Sequence, residues 1–125
     1  MKILLAEDDP NISIIAKMAL ENLGGHQVHL ATDGKMALEM AISYDFDLIL
    51  LDEMMPKMNG LSVCREFRKN SPQQTPIIFL SAKSQESDIN EFRSEAIGYI
   101  PKPFDPATIC QTIDQILQSY DRRAS

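Results

Sequence analysis

The chain has 125 residues, of which 44% are apolar and 24% are charged, and its formal net charge is −6 at pH 7. This length fits one domain with a sizeable core, and the acidic balance with scattered basic residues predicts no direct nucleic-acid partner. No apolar run approaches the roughly 18 residues needed to span a bilayer, and none at the N-terminus is long enough for the core of a signal peptide. We therefore expect a cytoplasmic protein without membrane contact, in which Cys64 and Cys110 are reduced.

Three short apolar runs recur along the chain, and each is continuous rather than alternating, as expected for parallel strands covered on both faces. A fourth run alternates polar and apolar residues, which is typical of a strand at the edge of a sheet. A short fifth candidate is stopped by Pro101, which has no N–H to donate to a neighbouring strand. In chain order the predicted strands are residues 3–6, 26–31 (the alternating run), 48–51, 77–80 and 99–100.

Helical periodicity fills the segments between these strands. The first helix is predicted to start at Asp9-Pro10, an N-cap followed by a first-turn proline, and to end at Gly24-Gly25. The second opens near Asp33-Gly34, the third ends before Pro72, and the last begins through a second Asp-Pro pair, Asp105-Pro106. The apolar positions of the first helix are Ile12, Ile15, Ala16, Ala19, Leu20 and Leu23.

Five strand–helix pairs in alternation predict an α/β protein with right-handed crossovers, a parallel sheet and helices on both faces. The alternating second strand is expected at the edge of the sheet, outside the continuous strands, which favours the strand order 2-1-3-4-5. A closed eight-stranded barrel would require about twice the length.

Polar side chains end four of the five predicted strands. The first strand runs into Glu7, Asp8 and Asp9, the third ends at Asp52, the fourth at Ser81, and the fifth just before Lys102. Because ligands bind at the carboxyl ends of the strands in an open parallel sheet, we expect these groups to share one rim. Each of them alone has an ordinary structural explanation, and Asp9 in particular is explained as a helix N-cap. Their convergence is what predicts a site.

The predicted rim has the chemistry of a magnesium site. Close carboxylates repel one another unless a cation neutralises them, and Mg²⁺ typically binds one or two carboxylates with waters and phosphate oxygens. No His or Cys stands near the cluster, which argues against zinc. A carboxylate can also attack phosphorus to form an acyl phosphate, with Mg²⁺ contacting one oxygen of the transferred group, Lys102 a second, and the Ser81 hydroxyl or nearby backbone N–H groups the third.

The strand-end residues stand within motifs that resemble the receiver domains of two-component response regulators, and the resemblance covers essentially the whole chain. The motifs are Glu7-Asp8-Asp9, Leu51-Asp52-Glu53-Met54-Met55-Pro56-Lys57-Met58-Asn59-Gly60, Leu80-Ser81-Ala82 and Gly98-Tyr99-Ile100-Pro101-Lys102-Pro103-Phe104. The resemblance is to single-domain receivers of the chemotaxis type, and it implies a flavodoxin-like (βα)5 three-layer sandwich. The receiver domain would span residues 1–121, with 122–125 as a frayed tail.

The same resemblance implies the metal and acceptor roles. Asp52 would be the phospho-acceptor, Asp8 a direct metal ligand and Glu7 the acid that holds a metal-bound water. The backbone carbonyl of Met54 would supply a further ligand. The implied cofactor is Mg²⁺, for which Mn²⁺ can substitute, and the chain would catalyse only its own phosphorylation and dephosphorylation.

A switch is implied as well. Lys102 and Ser81 would contact the phosphoryl group, and the ring of Tyr99 would move inward when Ser81 is drawn to it. The bond before Pro103 would be cis. The phosphoryl donor would be a phosphohistidine on a sensor histidine kinase or phosphotransfer protein. The face built by the fourth helix, fifth strand and fifth helix would bind a downstream protein, with the chain monomeric or dimerising on phosphorylation.

Two other functions stay open. The chain could be the receiver of a longer DNA-binding regulator or hybrid kinase, although Ile97-Gly98 and Thr112 stand where winged-helix members often carry an acidic pair and an arginine. A magnesium-dependent aspartyl-phosphate phosphatase is less favoured, because Met54 occupies the position where that family usually has a second aspartate. Glu53 and Glu95 depart from the receiver pattern, which frequently has an apolar residue and a glycine at these positions.

Overall fold

Five strands alternate with five helices within residues 1–83 and 85–124, which are the residues that the computed structural model describes; of residues 122–124 it describes only the backbone. In chain order the elements are β1 (Lys2–Ala6), α1 (Pro10–Asn22), β2 (Gln27–Ala31), α2 (Gly34–Ser43), β3 (Leu48–Asp52), α3 (Gly60–Asn70), β4 (Ile77–Ser81), α4 (Glu86–Glu95), β5 (Gly98–Pro101) and α5 (Ile109–Ala124). All of the strand pairings are parallel, in the order β2-β1-β3-β4-β5. The predicted α/β class and strand order are confirmed.

The sheet buries apolar side chains on both of its faces, which explains the continuous apolar runs of its central strands. Successive residues of a strand point to opposite faces. Leu4 and Ala6 therefore pack in the core that α2, α3 and α4 cover, while Ile3 and Leu5 pack in the core that α1 and α5 cover. β3 and β4 divide their side chains between the same two cores, which gives a three-layer sandwich.

The two edge strands differ from the central ones. β2 is partly solvated, with Gln27 exposed and Val28 buried, as its alternating sequence predicts. β5 includes Pro101, so the prediction that this strand stops before the proline is wrong. The Lys102 N–H donates to the Ser81 carbonyl oxygen at 2.9 Å. Because N–H groups alternate in direction along a strand, the missing N–H of Pro101 faces away from β4 and no ladder hydrogen bond is lost.

Side-chain caps start the first three helices. The Asp9 carboxylate accepts from the Asn11 N–H at 2.9 Å, so its predicted role as an N-cap is confirmed. Asp33 caps α2 by accepting from the Met36 N–H at 2.8 Å, and Asn59 caps α3 in the same way. These caps fix the start of each helix directly after the loop that carries strand-end residues.

The outer side of α1 carries more apolar surface than its sequence pattern predicts. Ile15 and Leu23 belong to the predicted apolar stripe, but both are exposed. The buried positions of α1 are Ser13, Ala16, Ala19 and Leu20. Most of these side chains are small, so the helix lies close to the sheet and its larger flanking residues fall outside the contact.

α5 begins later and ends later than predicted. It starts at Ile109, because the carboxylate and the carbonyl of Asp105 accept from the N–H groups of the two residues after Pro106 and form a turn there. Its backbone continues through residues 122–124, which the sequence assigns to a frayed tail. Ser125, the end of that predicted tail, lies outside the described residues.

Both cysteines are free thiols, as predicted. Cys64 is buried and its thiol donates to the Glu95 carbonyl oxygen at 3.1 Å. Burial raises the pKa of Cys64 to about 11, so this thiol is protonated and unreactive at neutral pH. Among the described residues, no helix combines the length and the apolar character needed to cross a membrane.

Candidate functional site

One cavity at the carboxyl edge of the sheet collects the polar residues that end the strands. It has a volume of about 260 Å³. Its lining includes Glu7, Asp8, Asp9, Asp52, Glu53, Met54, Ser81 and Lys102. The fold thus brings together the side chains that the strand ends predict to share one rim.

Asp52 is the last residue of β3 and is buried. Its Oδ1 accepts from the Met54 N–H at 3.3 Å and lies 3.0 Å from the Nζ of Lys102. The first residue of α3 packs directly behind it, since a Cβ at Gly60 would lie 2.6 Å from the Asp52 carbonyl oxygen. Only glycine permits this approach, so Gly60 supports the position of Asp52.

Lys102 joins two of the carboxylates. Its Nζ lies 2.6 Å from Glu7 Oε1 and 3.0 Å from Asp52 Oδ1, and its side chain is 15% exposed. The peptide bond between Lys102 and Pro103 is cis, as the resemblance implies. Burial alone would lower the pKa of Lys102, but the hydrogen bonds to Glu7 and Asp52 outweigh it and raise the pKa. The ammonium therefore stays charged and offsets part of the acidic cluster.

Glu7 is the carboxylate of this cluster with a raised pKa. Burial raises its pKa, and a hydrogen bond with the Asp52 side chain raises it further, to about 7, although Lys102 acts in the opposite direction. Glu7 therefore holds a proton for part of the time at neutral pH. Burial and a neighbouring carboxylate both disfavour the charged form of a carboxyl, and here they outweigh the Lys102 ammonium.

Three carboxylates at this edge fit a divalent metal ion. One oxygen each from Glu7, Asp8 and Asp52 lies within 4.8 Å of the other two. Asp8 is exposed, so the group is open to solvent on one side. Hard oxygen donors with open positions suit Mg²⁺ rather than zinc. Asp9 does not belong to this group, because its carboxylate caps α1.

Ser81 ends β4 and is buried beside the acidic group. Its Oγ accepts from the Lys83 N–H at 3.0 Å. A hydroxyl that accepts one hydrogen bond still has its own proton to donate, so Ser81 can contact a further oxygen in the cavity.

Residues 3–114 match the family model for the response regulator receiver domain. The chain belongs to the response regulator receiver family. It is the receiver domain of a two-component response regulator, and its five-stranded parallel sheet in the order β2-β1-β3-β4-β5 is the fold that the family implies.

A longer protein is among the relatives of this receiver domain. The response regulator ArlR of Staphylococcus saprophyticus is 42% identical over 98% of the chain, and the match covers 54% of ArlR. The chain spans about half the length of the curated relatives it matches.

Solved structures of receiver domains superpose closely on this one. The chemotaxis response regulator CheY4 of Vibrio cholerae has a TM-score of 0.84 at 30% identity, with 92% of this chain and 97% of CheY4 covered. The receiver domain of the sensor histidine kinase PA1611 from Pseudomonas aeruginosa has a TM-score of 0.83 at 30% identity, covering 94% of this chain and 97% of its own. That structure holds a magnesium ion in its active-site cleft. The flavodoxin-like fold is confirmed.

Tyr99 lies on β5 of the receiver domain, half-buried and outside the lining of the acidic cavity. It pairs in register with Phe79, and its ring centroid is 6.0 Å from that of Phe92. It also lines a second cavity of about 390 Å³ with residues of α4 and α5, among them Arg93 and Ile116. Tyr99 thus lies on the surface formed by α4, β5 and α5, one strand away from Ser81.

One ion pair at the same edge of the receiver domain was missed at the level of sequence. Lys83 Nζ lies 3.1 Å from Glu53 Oε1, and Glu53 is buried. The hydrogen bond to Glu53 raises the pKa of Lys83. The sequence places Glu53 one residue after β3 and Lys83 two residues after β4, but only the register, in which Asp52 pairs with Leu80, brings the two charges together.

Proposed function

We propose that this receiver domain accepts a phosphoryl group on Asp52 from a phosphohistidine of a sensor histidine kinase or phosphotransfer protein. The observation that carries the proposal is the Lys102 ammonium, 3.0 Å from Asp52 Oδ1 and 2.6 Å from Glu7 Oε1. A buried nucleophilic carboxylate beside a fixed cation and two further carboxylates is suited to phosphoryl transfer, in which positioning and electrostatics supply most of the catalysis.

Mg²⁺ is the proposed cofactor, and Mn²⁺ can substitute because it also prefers oxygen ligands. Glu7, Asp8 and Asp52 would hold the ion, with the backbone carbonyl of Met54 as a further ligand. When bound, the ion supplies positive charge that offsets both the carboxylates and the phosphoryl oxygens. The fit rests on the three carboxylate oxygens that lie within 4.8 Å of one another.

In the proposed step, an Asp52 oxygen attacks phosphorus, a P–O bond forms, and the P–N bond of phosphohistidine breaks. The electron pair of that bond returns to the imidazole ring. Lys102 Nζ, already in contact with Asp52, donates to one phosphoryl oxygen. The Ser81 hydroxyl, which faces the same cavity, donates its proton to another. Both contacts are strongest when charge builds up on the transferred group, which is when they accelerate the reaction.

The donor protein is proposed to dock on the apolar surface beside the acidic cavity. Ile12 and Ile15 of α1, together with Phe104 and Pro106 after β5, line a cavity of about 310 Å³ that Lys102 also borders. A donor must bring its phosphohistidine to Asp52, so contact next to this opening is geometrically required. An exposed apolar surface at that place is suited to a protein partner.

The output is proposed to be a change at the surface formed by α4, β5 and α5, where a downstream protein would bind. Attraction of Ser81 to the phosphoryl group would alter the packing around Tyr99, which is half-buried and borders the cavity between α4 and α5. The domain would act as a monomer or as a phosphorylation-dependent dimer.

The domain is proposed to catalyse only its own phosphorylation and hydrolysis, not the turnover of separate substrates. A haloacid-dehalogenase-like phosphatase would need a second aspartate two residues after Asp52, and Met54 occupies that position. Steady release of phosphate from phosphate esters would overturn this part of the proposal.

Intact-mass analysis after incubation with acetyl phosphate and Mg²⁺ tests the central claim. We expect a gain of about 80 Da, the mass of one phosphoryl group on an acyl phosphate. The gain should be absent in Asp52→Asn and in the presence of EDTA, while Asp47→Asn, which alters an exposed aspartate, should keep it. An unchanged mass for the wild type, together with no binding of Mg²⁺, would contradict the proposal that Asp52 is phosphorylated.

A second candidate is that the chain is the receiver of a longer regulator, since it spans about half the length of its curated relatives. Immunoblotting of the endogenous protein with an antibody raised against this domain decides between a stand-alone receiver and the receiver of a longer regulator. A band near 14.1 kDa supports a stand-alone receiver, and a band of about twice that mass supports the longer regulator.

A further inference from the structure

Glu53 is a buried carboxylate that the proposed phosphorylation chemistry does not use. Its side chain is 6% exposed, and its Oε1 accepts from the Lys83 ammonium at 3.1 Å. Its other oxygen, Oε2, has no hydrogen-bond partner in the part of the chain that the structure describes. Glu53 directly follows β3 and Lys83 lies two residues beyond β4, so the pair ties together the ends of two adjacent strands.

Lys83 is held at two points, by its side chain and by its backbone. Its ammonium binds Glu53, and its N–H donates to Ser81 Oγ at 3.0 Å. The backbone of Glu53 is itself fixed, because its N–H donates to the Leu80 carbonyl at 3.0 Å and its carbonyl accepts from the Gly60 N–H at 2.9 Å. Glu53 is therefore the anchored partner, and Lys83 with the Ser81 hydroxyl is the part that it holds.

Fold stability does not explain a carboxylate at position 53. Removing a carboxylate from water is unfavourable, and a buried ion pair often stabilises a protein no more than apolar side chains of similar volume. Here the ammonium keeps 42% of its side chain exposed and one carboxylate oxygen is unpaired. An apolar side chain of similar volume would avoid these costs, which points to a role for the pair in what it holds in place.

We propose that Glu53 is a positioning residue that holds Lys83, and through it the Ser81 hydroxyl, in the unphosphorylated arrangement. This inference rests on the proposed function, in which Ser81 is drawn toward a phosphoryl group on Asp52. That movement displaces the Lys83 N–H from its present position and weakens the pair with Glu53. An interaction that is stronger in one of two states shifts the equilibrium toward that state, so the pair opposes activation.

The test uses beryllofluoride, an analogue of the phosphoryl group, and the charge-neutral double variant Glu53→Leu/Lys83→Met. Binding in the presence of Mg²⁺ is followed through the ring resonances of Tyr99, which are assigned by their loss in Tyr99→Phe because the chain has two other tyrosines, Tyr44 and Tyr120. We expect the variant to bind beryllofluoride about two- to fivefold more tightly, a range typical of one partly exposed ion pair. Its affinity for Mg²⁺ alone should be unchanged, which a general loosening of the site would not produce.

Two further variants make the outcome decisive. Asp33→Asn/Lys57→Met removes another ion pair, of 3.6 Å, keeps a helix-capping side chain and the net charge, and should bind like the wild type. Glu53→Gln keeps the shape of the side chain and should shift binding in the same direction by less, so it decides the matter if the double variant does not fold. Equal or weaker binding by the folded Glu53 variants, with normal binding by the wild type, overturns this inference alone. Failure of the wild type to bind overturns the proposed function and the inference together.

Discussion

Two lysines at the same edge of the sheet have different surroundings. Lys102 is 15% exposed and lies against two carboxylates, at 2.6 and 3.0 Å. Lys83 is 42% exposed and lies against one, at 3.1 Å. Both have a raised pKa, but hydrogen bonds must overcome burial at Lys102, whereas the bond to Glu53 is the largest influence at Lys83.

The difference indicates that one edge of the sheet holds two groups with separate roles, the Lys102 cluster in the proposed reaction and the Glu53–Lys83 pair in its regulation. The Lys102 cluster is crowded, so each charge there depends on its neighbours and a single change affects the others. The Glu53–Lys83 pair borders this cluster but shares no ion pair with it among the described residues. A change to that pair can therefore adjust the balance between two states without removing an atom that the reaction needs.

Removal of the Lys102 charge should give the largest effect. In Lys102→Met the carboxylates of Glu7 and Asp52 lose their ammonium partner, so we expect the phosphorylation by acetyl phosphate to be lost. In EDTA at pH 8 the free energy of unfolding should fall by about 1–3 kcal/mol, less than for a rigid buried pair because Glu7 can take up a proton. Urea unfolding measures this. In Lys83→Met only one carboxylate is affected, and an equal or larger loss of stability there would contradict the comparison.

The pH dependence of the free energy of unfolding should identify Glu7 as the carboxylate with a raised pKa in the Lys102 cluster. A carboxyl whose pKa is raised from 4.5 to about 7 on folding keeps its proton while the unfolded chain releases it. Its contribution is therefore fully present below about pH 4.5 and is lost as the pH rises to about 7.

The difference between the wild type and Glu7→Gln isolates this effect. In EDTA, the advantage of the variant in unfolding free energy should grow between pH 4.5 and 7 by up to about 3 kcal/mol, and then level off. Urea unfolding at several pH values measures it. Glu21→Gln, which changes an exposed carboxylate of α1, should show no such growth. If the difference in unfolding free energy between the wild type and Glu7→Gln is constant from pH 4.5 to 8, the pKa of Glu7 is not raised on folding.

Much of the fold could be predicted because it depends on local composition. Continuous apolar runs identify strands buried on both faces, and the Asp9-Pro10 pair starts α1 where a cap is expected. The deviations depend on contacts between elements. Ile15 is exposed because of how closely α1 approaches the sheet, and Pro101 stays in β5 because its missing N–H faces outward, which only the register determines.

The candidate site was predictable as a cluster but not as a network. Strand ends alone place Glu7, Asp8 and Asp52 on one rim, yet they make Asp52 one carboxylate among several, and it is the family resemblance that singles it out. The Glu53–Lys83 pair was not predicted, because alternation along the strand turns Glu53 away from Asp52 but does not show which side chain it meets. Its burial is decided by tertiary packing that no local pattern encodes.

Met54 lies between the Lys102 cluster and the Glu53–Lys83 pair. Of the substitutions considered, a change at Met54 should have the smallest effect on the phosphorylation chemistry. Its side chain is 69% exposed and borders both the acidic cavity and the adjoining one of about 430 Å³ that Glu53 and Lys83 line. We expect water that hydrolyses an acyl phosphate on Asp52 to enter through this opening, so a bulky apolar side chain should slow it. Met54→Asn should shorten the lifetime of the phosphorylated protein by about two- to tenfold, equivalent to at most about 1.4 kcal/mol of barrier. Intact-mass measurements over time, in Mg²⁺ after removal of acetyl phosphate, give the lifetime.

Met18→Asn, at an exposed position of α1, should leave the lifetime of the phosphorylated protein unchanged. An unaltered lifetime in Met54→Asn would mean that water reaches Asp52 by another route, and that the opening between the two groups does not control hydrolysis.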